Sequence, residues 1–133
     1  MDGIHEGKRS NPDPTRMKRW VQFAQEAKND PKNKQFVFIH SAVDPGSYAS
    51  TTDSANYLNQ NVGAIPSLTN NTYAGIKPAA INNIGGFTTI QLYNKQSDNL
   101  GYGYTEKEMK NQHIMTAKAL PDIMSNYLSN WNE

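Results

Sequence analysis

Three histidines, a few serines near them and a scatter of acids are the residues in this chain whose types could carry chemistry. His40 and Ser41 end an apolar run. Asp44, Ser47 and Tyr48 follow within seven residues. His113 stands in Asn111-Gln112-His113, and Asp2 and His5 stand at the start. A serine, a histidine and an acid that converge can transfer an acyl group, the histidine taking the serine's proton and the acid orienting the imidazole. Each residue also has a plainer reading. His40 can be a buried histidine hydrogen-bonded to backbone, and His113 an exposed helix residue. Ser47 and Ser50 suit a turn and a helix cap, and Asp44 before Pro45-Gly46 is ordinary turn chemistry. Ser41 lacks the Gly-x-Ser-x-Gly elbow that exposes a nucleophile on a sharp strand-to-helix turn.

Other chemistries fit less well. The chain has no cysteine, which excludes disulfides and thiolate ligands or nucleophiles. The spacing of His5, His40 and His113 matches no HExxH or HxH pattern, so no metal site is expected. Gly101-x-Gly103 lacks the Lys-Ser/Thr pair and the strand-glycine-helix order of a phosphate loop, and no cofactor is implied. Tyr93, Tyr102 and Tyr104 suit the wall of a sugar or acyl pocket, or the packing of a loop.

The elements that must position these residues follow from periodicity and breakers. Asn11-Pro12-Asp13-Pro14 punctuates the backbone, and a helix is expected over Thr15 to Lys28. Met17, Trp20, Val21, Ala24 and Ala27 form its apolar stripe, widened by Phe23. Asn29-Asp30-Pro31 stops it. Gln35 to Ala42 reads as a strand buried on both faces, because Phe36 to Ile39 is continuously apolar. A second helix, capped by Ser50 with Asp53, is expected over Thr51 to Gln60. It turns Ala55 and Leu58 to the core, with Tyr57 or Val62 beside them. Residues 63–78 read as a long surface connection, and Ala79 to Ile84 as one short helical turn. Gly85-Gly86 makes a tight approach to a second strand, Phe87 to Tyr93. After the loop Asn94 to Tyr104, the capping box Thr105-Glu106-Lys107-Glu108 opens a last helix. That helix carries Met109, Ile114, Ala117 and Leu120, is kinked or restarted at Pro121, and closes with Ile123, Met124, Tyr127, Leu128 and Trp131.

The order helix, strand, helix, strand, helix is that of an α/β domain with helices packed on a parallel sheet. A third short strand near Ile4 would give two or three parallel strands with three to four helices. With 133 residues, one domain over residues 1–133 is expected. In such sheets ligands bind beyond the carboxyl ends of the strands. His40, Ser41 and the loop with Asp44, Ser47 and Tyr48 fall there, as does the segment leading to His113. Thirteen basic and twelve acidic residues give a net charge of +1, and no clustered basic surface for nucleic acid follows. No run reaches the roughly 18 to 20 apolar residues of a membrane span. The first residues are not a secretion signal, so a soluble chain is expected, cytoplasmic or exported with its leader outside this sequence.

Several stretches together resemble a known family. These are Asp2-Gly3-Ile4-His5, the helix from Trp20 to Lys28, Phe36 to Ser41, and the run from Pro45 through Tyr48-Ala49-Ser50-Thr51-Thr52 to Leu58. The series is similar to the C-terminal half of bacterial α/β-hydrolase-fold proteins, fairly well over residues 1–60 and loosely over 87–131. There a "DG-H" stretch follows a late core strand, a "THS"-like stretch ends the next, and a histidine stands near the start of the closing helix. The resemblance implies a partial three-layer hydrolase-like fold. His113 would be the general base, and Asp2 or Asp44 the orienting acid. His5, His40, Ser41, Ser47, Tyr48, Tyr102 and Tyr104 would line the binding side. In that fold the serine precedes the acid and the histidine, and here its elbow is absent. The implied protein is a C-terminal portion of a serine hydrolase for an ester or amide substrate. It would be inactive alone and partnered by the missing N-terminal half or by further copies of itself. The alternative is a non-enzymatic domain binding a glycan, a peptide or a protein.

Overall fold

The computed structural model describes residues 7–8, 11–41, 50–67, 69–75, 77–93 and 112–130. In chain order these form β1 (Gly7–Lys8), β2 (Asn11–Pro12), α1 (Pro14–Asn29), β3 (Phe36–Ser41), α2 (Thr51–Val62), β4 (Ile65–Pro66), β5 (Ala80–Ile84), β6 (Phe87–Tyr93) and α3 (Gln112–Asn130). β1 and β2 make a small antiparallel ribbon, and the main sheet has the order β3-β6-β5-β4.

The sheet is mixed. β3 and β6 are parallel, with Phe36 opposite Phe87 and His40 opposite Gln91. β5 is antiparallel to β6, and β4 to β5. The expected parallel arrangement therefore holds for one pair of strands. The expected helical turn over Ala79 to Ile84 is instead strand β5, and the connection over 63–78 contains the two-residue strand β4. Gly85-Gly86 is the cause. It joins two paired strands, Ile84 facing Phe87, and Gly85 has φ +57°. A positive φ at the first central position is the requirement of a type II′ hairpin turn, which only glycine meets without cost. The turn is also seated. The Gly86 amide donates to the Ala27 carbonyl at 2.9 Å, and the Gly86 carbonyl accepts from the Phe36 amide at 2.9 Å. One hairpin turn thus ties the end of α1 to the start of β3.

Side-chain alternation on β3 and β6 divides the core. On one face Phe36, Phe38 and Phe87 pack with Met17, Ala24 and Ala27 of α1 and Ala55, Leu58 and Val62 of α2. On the other, Ile39, Ile90 and Leu92 pack with Ile81, Tyr73, and Ala119 and Ile123 of α3. The two helices of the first face are joined at their ends, where Lys28 Nζ donates to the Val62 carbonyl at 3.2 Å. That places a cation at the negative end of α2.

Two expected stripes shift. Phe23 is 40% exposed, because the small Ala24 and Ala27 bring α1 close to the sheet and rotate Phe23 outward. On α3 the residues facing the sheet are Thr116, Ala119 and Ile123, with Tyr127 packed beside them, whereas Ile114, Leu120, Met124 and Leu128 are exposed. The small side chains again allow the closest approach. Pro121 lies inside α3, which continues through it as one helix. The expected helix start at Thr105 and the short strand near Ile4 lie outside the described residues.

Candidate functional site at the end of the parallel strands

Because β3 and β6 run parallel, both leave the sheet at the same edge, Ser41 pairing with Tyr93. The N-terminus of α2 lies there too. Its first turn is fixed by a reciprocal capping box, in which Ser50 Oγ accepts from the Asp53 amide at 2.9 Å and Asp53 Oδ2 accepts from the Ser50 amide at 3.0 Å. The next two residues hold the end of β3. Thr51 Oγ1 accepts from the Ser41 amide and donates to the Ser41 carbonyl, both at 3.0 Å. Thr52 Oγ1 lies 3.1 Å from His40 Nδ1 and accepts from Gln91 Nε2 at 3.3 Å. One helical turn therefore clips β3 by backbone and side chain, and links it to β6 through Gln91. Further along the same face, Thr89 Oγ1 donates to Asn59 Oδ1 at 3.1 Å.

His40 is 4% exposed and lies between the sheet and α2. Its Nε2 is buried and has no hydrogen-bond partner among the described residues. Burial penalises the imidazolium and pulls the pKa from 6.5 down to about 3. The ring is thus neutral across the physiological range. A base so weak is poorly matched to taking a serine's proton near neutral pH. What the geometry offers is a neutral imidazole held at one nitrogen by Thr52. Ser41 is fully buried beside it.

Of the residues that sequence reasoning singled out, the structure brings together His40 and Ser41 at this edge. His113 is the second residue of α3. Asp2, His5, Asp44, Ser47, Tyr48, Tyr102 and Tyr104 lie outside the described residues. Among the described residues no group of three His, Asp or Glu side chains could hold a metal ion, and no helix is long and apolar enough to cross a membrane. Sequence reasoning missed Thr51, Thr52 and Gln91. Strand alternation through Phe87, Thr89 and Gln91 would have put Gln91 on the helix-covered face. A polar residue there needs a partner from α2.

A second polar cluster ties the segment before β5 to α3. The Ala74 amide donates to Asp122 Oδ2 at 2.6 Å, and Asn71 Nδ2 donates to Asn126 Oδ1 at 3.2 Å. The Tyr73 and Tyr127 hydroxyls are hydrogen-bonded, and Tyr127 also reaches Thr88. Burial raises the Tyr73 pKa to about 12. These bonds hold residues 71–74 against the helix.

Comparison with protein-family models, with curated proteins and with solved structures finds no match.

Proposed function

We propose that this chain is the histidine-bearing C-terminal portion of a serine-hydrolase-like protein that cleaves an ester or an amide, and that it is inactive alone. The observation that carries the reading is the parallel pairing of β3 and β6. Two successive exits from a sheet on one edge are what an open α/β site is built from. The segment that follows β6 leads to α3, whose second residue is His113. In this reading His113 accepts the proton of a serine supplied by the missing portion, then returns it to the leaving group. Asp2 or Asp44 orients it. Ser41 does not supply the nucleophile, being fully buried with its backbone clipped by Thr51. The neutral His40 braces the edge from behind.

The test is labelling with a fluorophosphonate probe read by intact mass. The folded chain alone should stay unlabelled. A complex with a polypeptide encoded directly upstream that carries a Gly-x-Ser-x-Gly elbow should be labelled, and His113→Ala should abolish it. Labelling of the chain alone that His113→Ala removes would mean a complete site here and overturn the reading. So would an assembled complex that stays unlabelled.

A second reading, a non-enzymatic interaction domain, is favoured by one observation. Leu120, Met124 and Leu128 are exposed along α3 beside a groove floored by β3. Exposed apolar surface of this kind marks contact with another protein more often than with solvent.

A further inference from the structure

We infer that residues 69–75 are a strap that opens from α3 as one unit, with Asp122 as its latch and the backbone of Ala74 as its spring. The connection that carries the strap is fixed to the sheet at both ends. The Ser67 amide donates to the Ile81 carbonyl and the Ala79 amide to the Gln91 carbonyl, each at 2.8 Å. Between these points Asn70, Asn71, Thr72, Ala74 and Gly75 are exposed. Tyr73 is the anchor, 2% exposed and placed in an isolated β-bridge. A segment with one buried side chain and solvent-exposed hydrogen bonds opens locally at a cost well below that of global unfolding.

Strain and clamp meet on one residue. Ala74 has φ +53° and Gly75 φ +78°. Two successive positive values are those of a type I′ turn, whose central positions are dominated by glycine, asparagine and aspartate. Ala74 is the one residue other than glycine with a positive φ among the described residues. Its Cβ crowds the backbone there, and it has no polar side chain to offset the cost. Such a conformation persists where its surroundings enforce it. The enforcing contact is the Ala74 amide, which donates to Asp122 Oδ2 at 2.6 Å. That bond is short and charge-assisted. Asp122 therefore holds in place the residue whose own backbone favours release.

Tyr73 couples the strap to the groove between β3 and α3. It belongs to the core cluster that contains Ile39 and Ile123, with Tyr127 packed against it. Its hydroxyl is bonded to that of Tyr127. Ile39, Ile123 and Tyr127 are also lining residues of the groove. Departure of Tyr73 therefore removes a bond from Tyr127 and loosens a wall that strap and groove share.

The experiment is chymotrypsin cleavage after Tyr73 in the full chain, located by mass spectrometry, with each rate divided by that of the same chain unfolded in urea. Urea unfolding supplies the global stability of each variant. When opening and closing are fast relative to cleavage, the ratio reads the population of the open form. In the wild type it should exceed the globally unfolded fraction by at least about tenfold. Asp122→Ala, which removes the latch, should raise it by about tenfold. Ala74→Gly, which relieves the strain, should lower it severalfold. Thr51→Val acts on the far side of the sheet. It should lower global stability and leave cleavage after Tyr73 unchanged. A wild-type ratio no larger than the unfolded fraction overturns the inference. So does a Thr51→Val ratio that rises in step with unfolding, an Asp122→Ala ratio that does not rise, or an Ala74→Gly ratio that does not fall.

Discussion

Acid should destabilise this protein through His40, and by an amount that the burial of the ring allows to be worked out. In the folded chain the imidazole stays neutral down to about pH 3, whereas in the unfolded chain it takes a proton near 6.5. A folded pKa below the unfolded one gives a contribution that is complete above pH 6.5 and is lost as pH falls toward 3, because only the unfolded state binds the proton. The whole span corresponds to roughly 5 kcal/mol, at about 1.4 kcal/mol per pH unit. Between pH 6 and pH 4 the loss is roughly 2.5 kcal/mol. Domains of this size are stable by only about 5–15 kcal/mol, so this one group should account for much of the acid limb. The perturbation is His40→Gln, a neutral side chain that keeps a hydrogen-bonding group near Thr52 and cannot titrate. The assay is urea unfolding at steps from pH 7 to pH 4 for both proteins. Wild type should lose roughly 2.5 kcal/mol more than the variant between pH 6 and pH 4, about 10 °C in Tm. In the folded wild type the His40 ring carbons should show no titration by NMR until unfolding begins. Parallel stability curves for the two proteins, or a His40 titration near pH 6 in the native state, would refute the reasoning.

Three further outcomes follow from the packing. Gly86→Ala should cost about 2–3 kcal/mol or more in denaturant unfolding, since its Cβ would come within 2.6 Å of the Ala27 carbonyl oxygen in a turn that carries two backbone bonds. Thr51→Val keeps the shape of the side chain but removes both bonds to Ser41. Chemical unfolding should show a loss of about 2–3 kcal/mol, and amide exchange at the end of β3 should quicken. At the alkaline end the sign reverses: Tyr73 loses its proton near 10 when unfolded and near 12 when folded, so its contribution is complete below pH 10 and falls away toward pH 12. Tyr73→Phe should flatten that limb of the stability curve.

The helices and the two long strands were legible because each carries its own period and its own stops. Asp13 and Pro14 open α1, Ser50 with Asp53 opens α2, and the run Phe36 to Ile39 needs burial on both faces to make sense. The hairpin was less legible. Ala80 to Ile84 contains Asn82 and Asn83, which strands disfavour, and its pairing with β6 exists only because Gly85-Gly86 turns the chain back. Asn83 is accommodated by donating to Thr88 Oγ1 at 2.9 Å and to the Phe87 carbonyl at 3.0 Å, contacts that come into being only once the turn has formed. The glycine pair between two β-prone runs was the available signal. The buried face of α3 was less legible for another reason. It is apolar on two faces, and a periodicity cannot say which of two stripes faces the sheet. The small residues Thr116 and Ala119 decide it by letting the backbone approach.

The same distinction governs the site. That His40 ends a strand could be read from the sequence, but not what the ring touches, because its hydrogen-bond partner Thr52 comes from α2, twelve residues away, and Thr52 in turn accepts from Gln91 of β6. Thr52 contacts both His40 and Gln91, so the position of the ring depends on the parallel register of β3 and β6 as much as on its own strand. A neutral imidazole locked in that way is a brace, and a brace is useful where an edge must keep its shape while loops on it do work. The consequence is specific. If chemistry occurs at this edge, replacing His40 by glutamine should leave the pH dependence of the reaction unchanged while lowering the stability of the edge. Replacing His113 should remove the reaction without changing the acid limb of the stability curve.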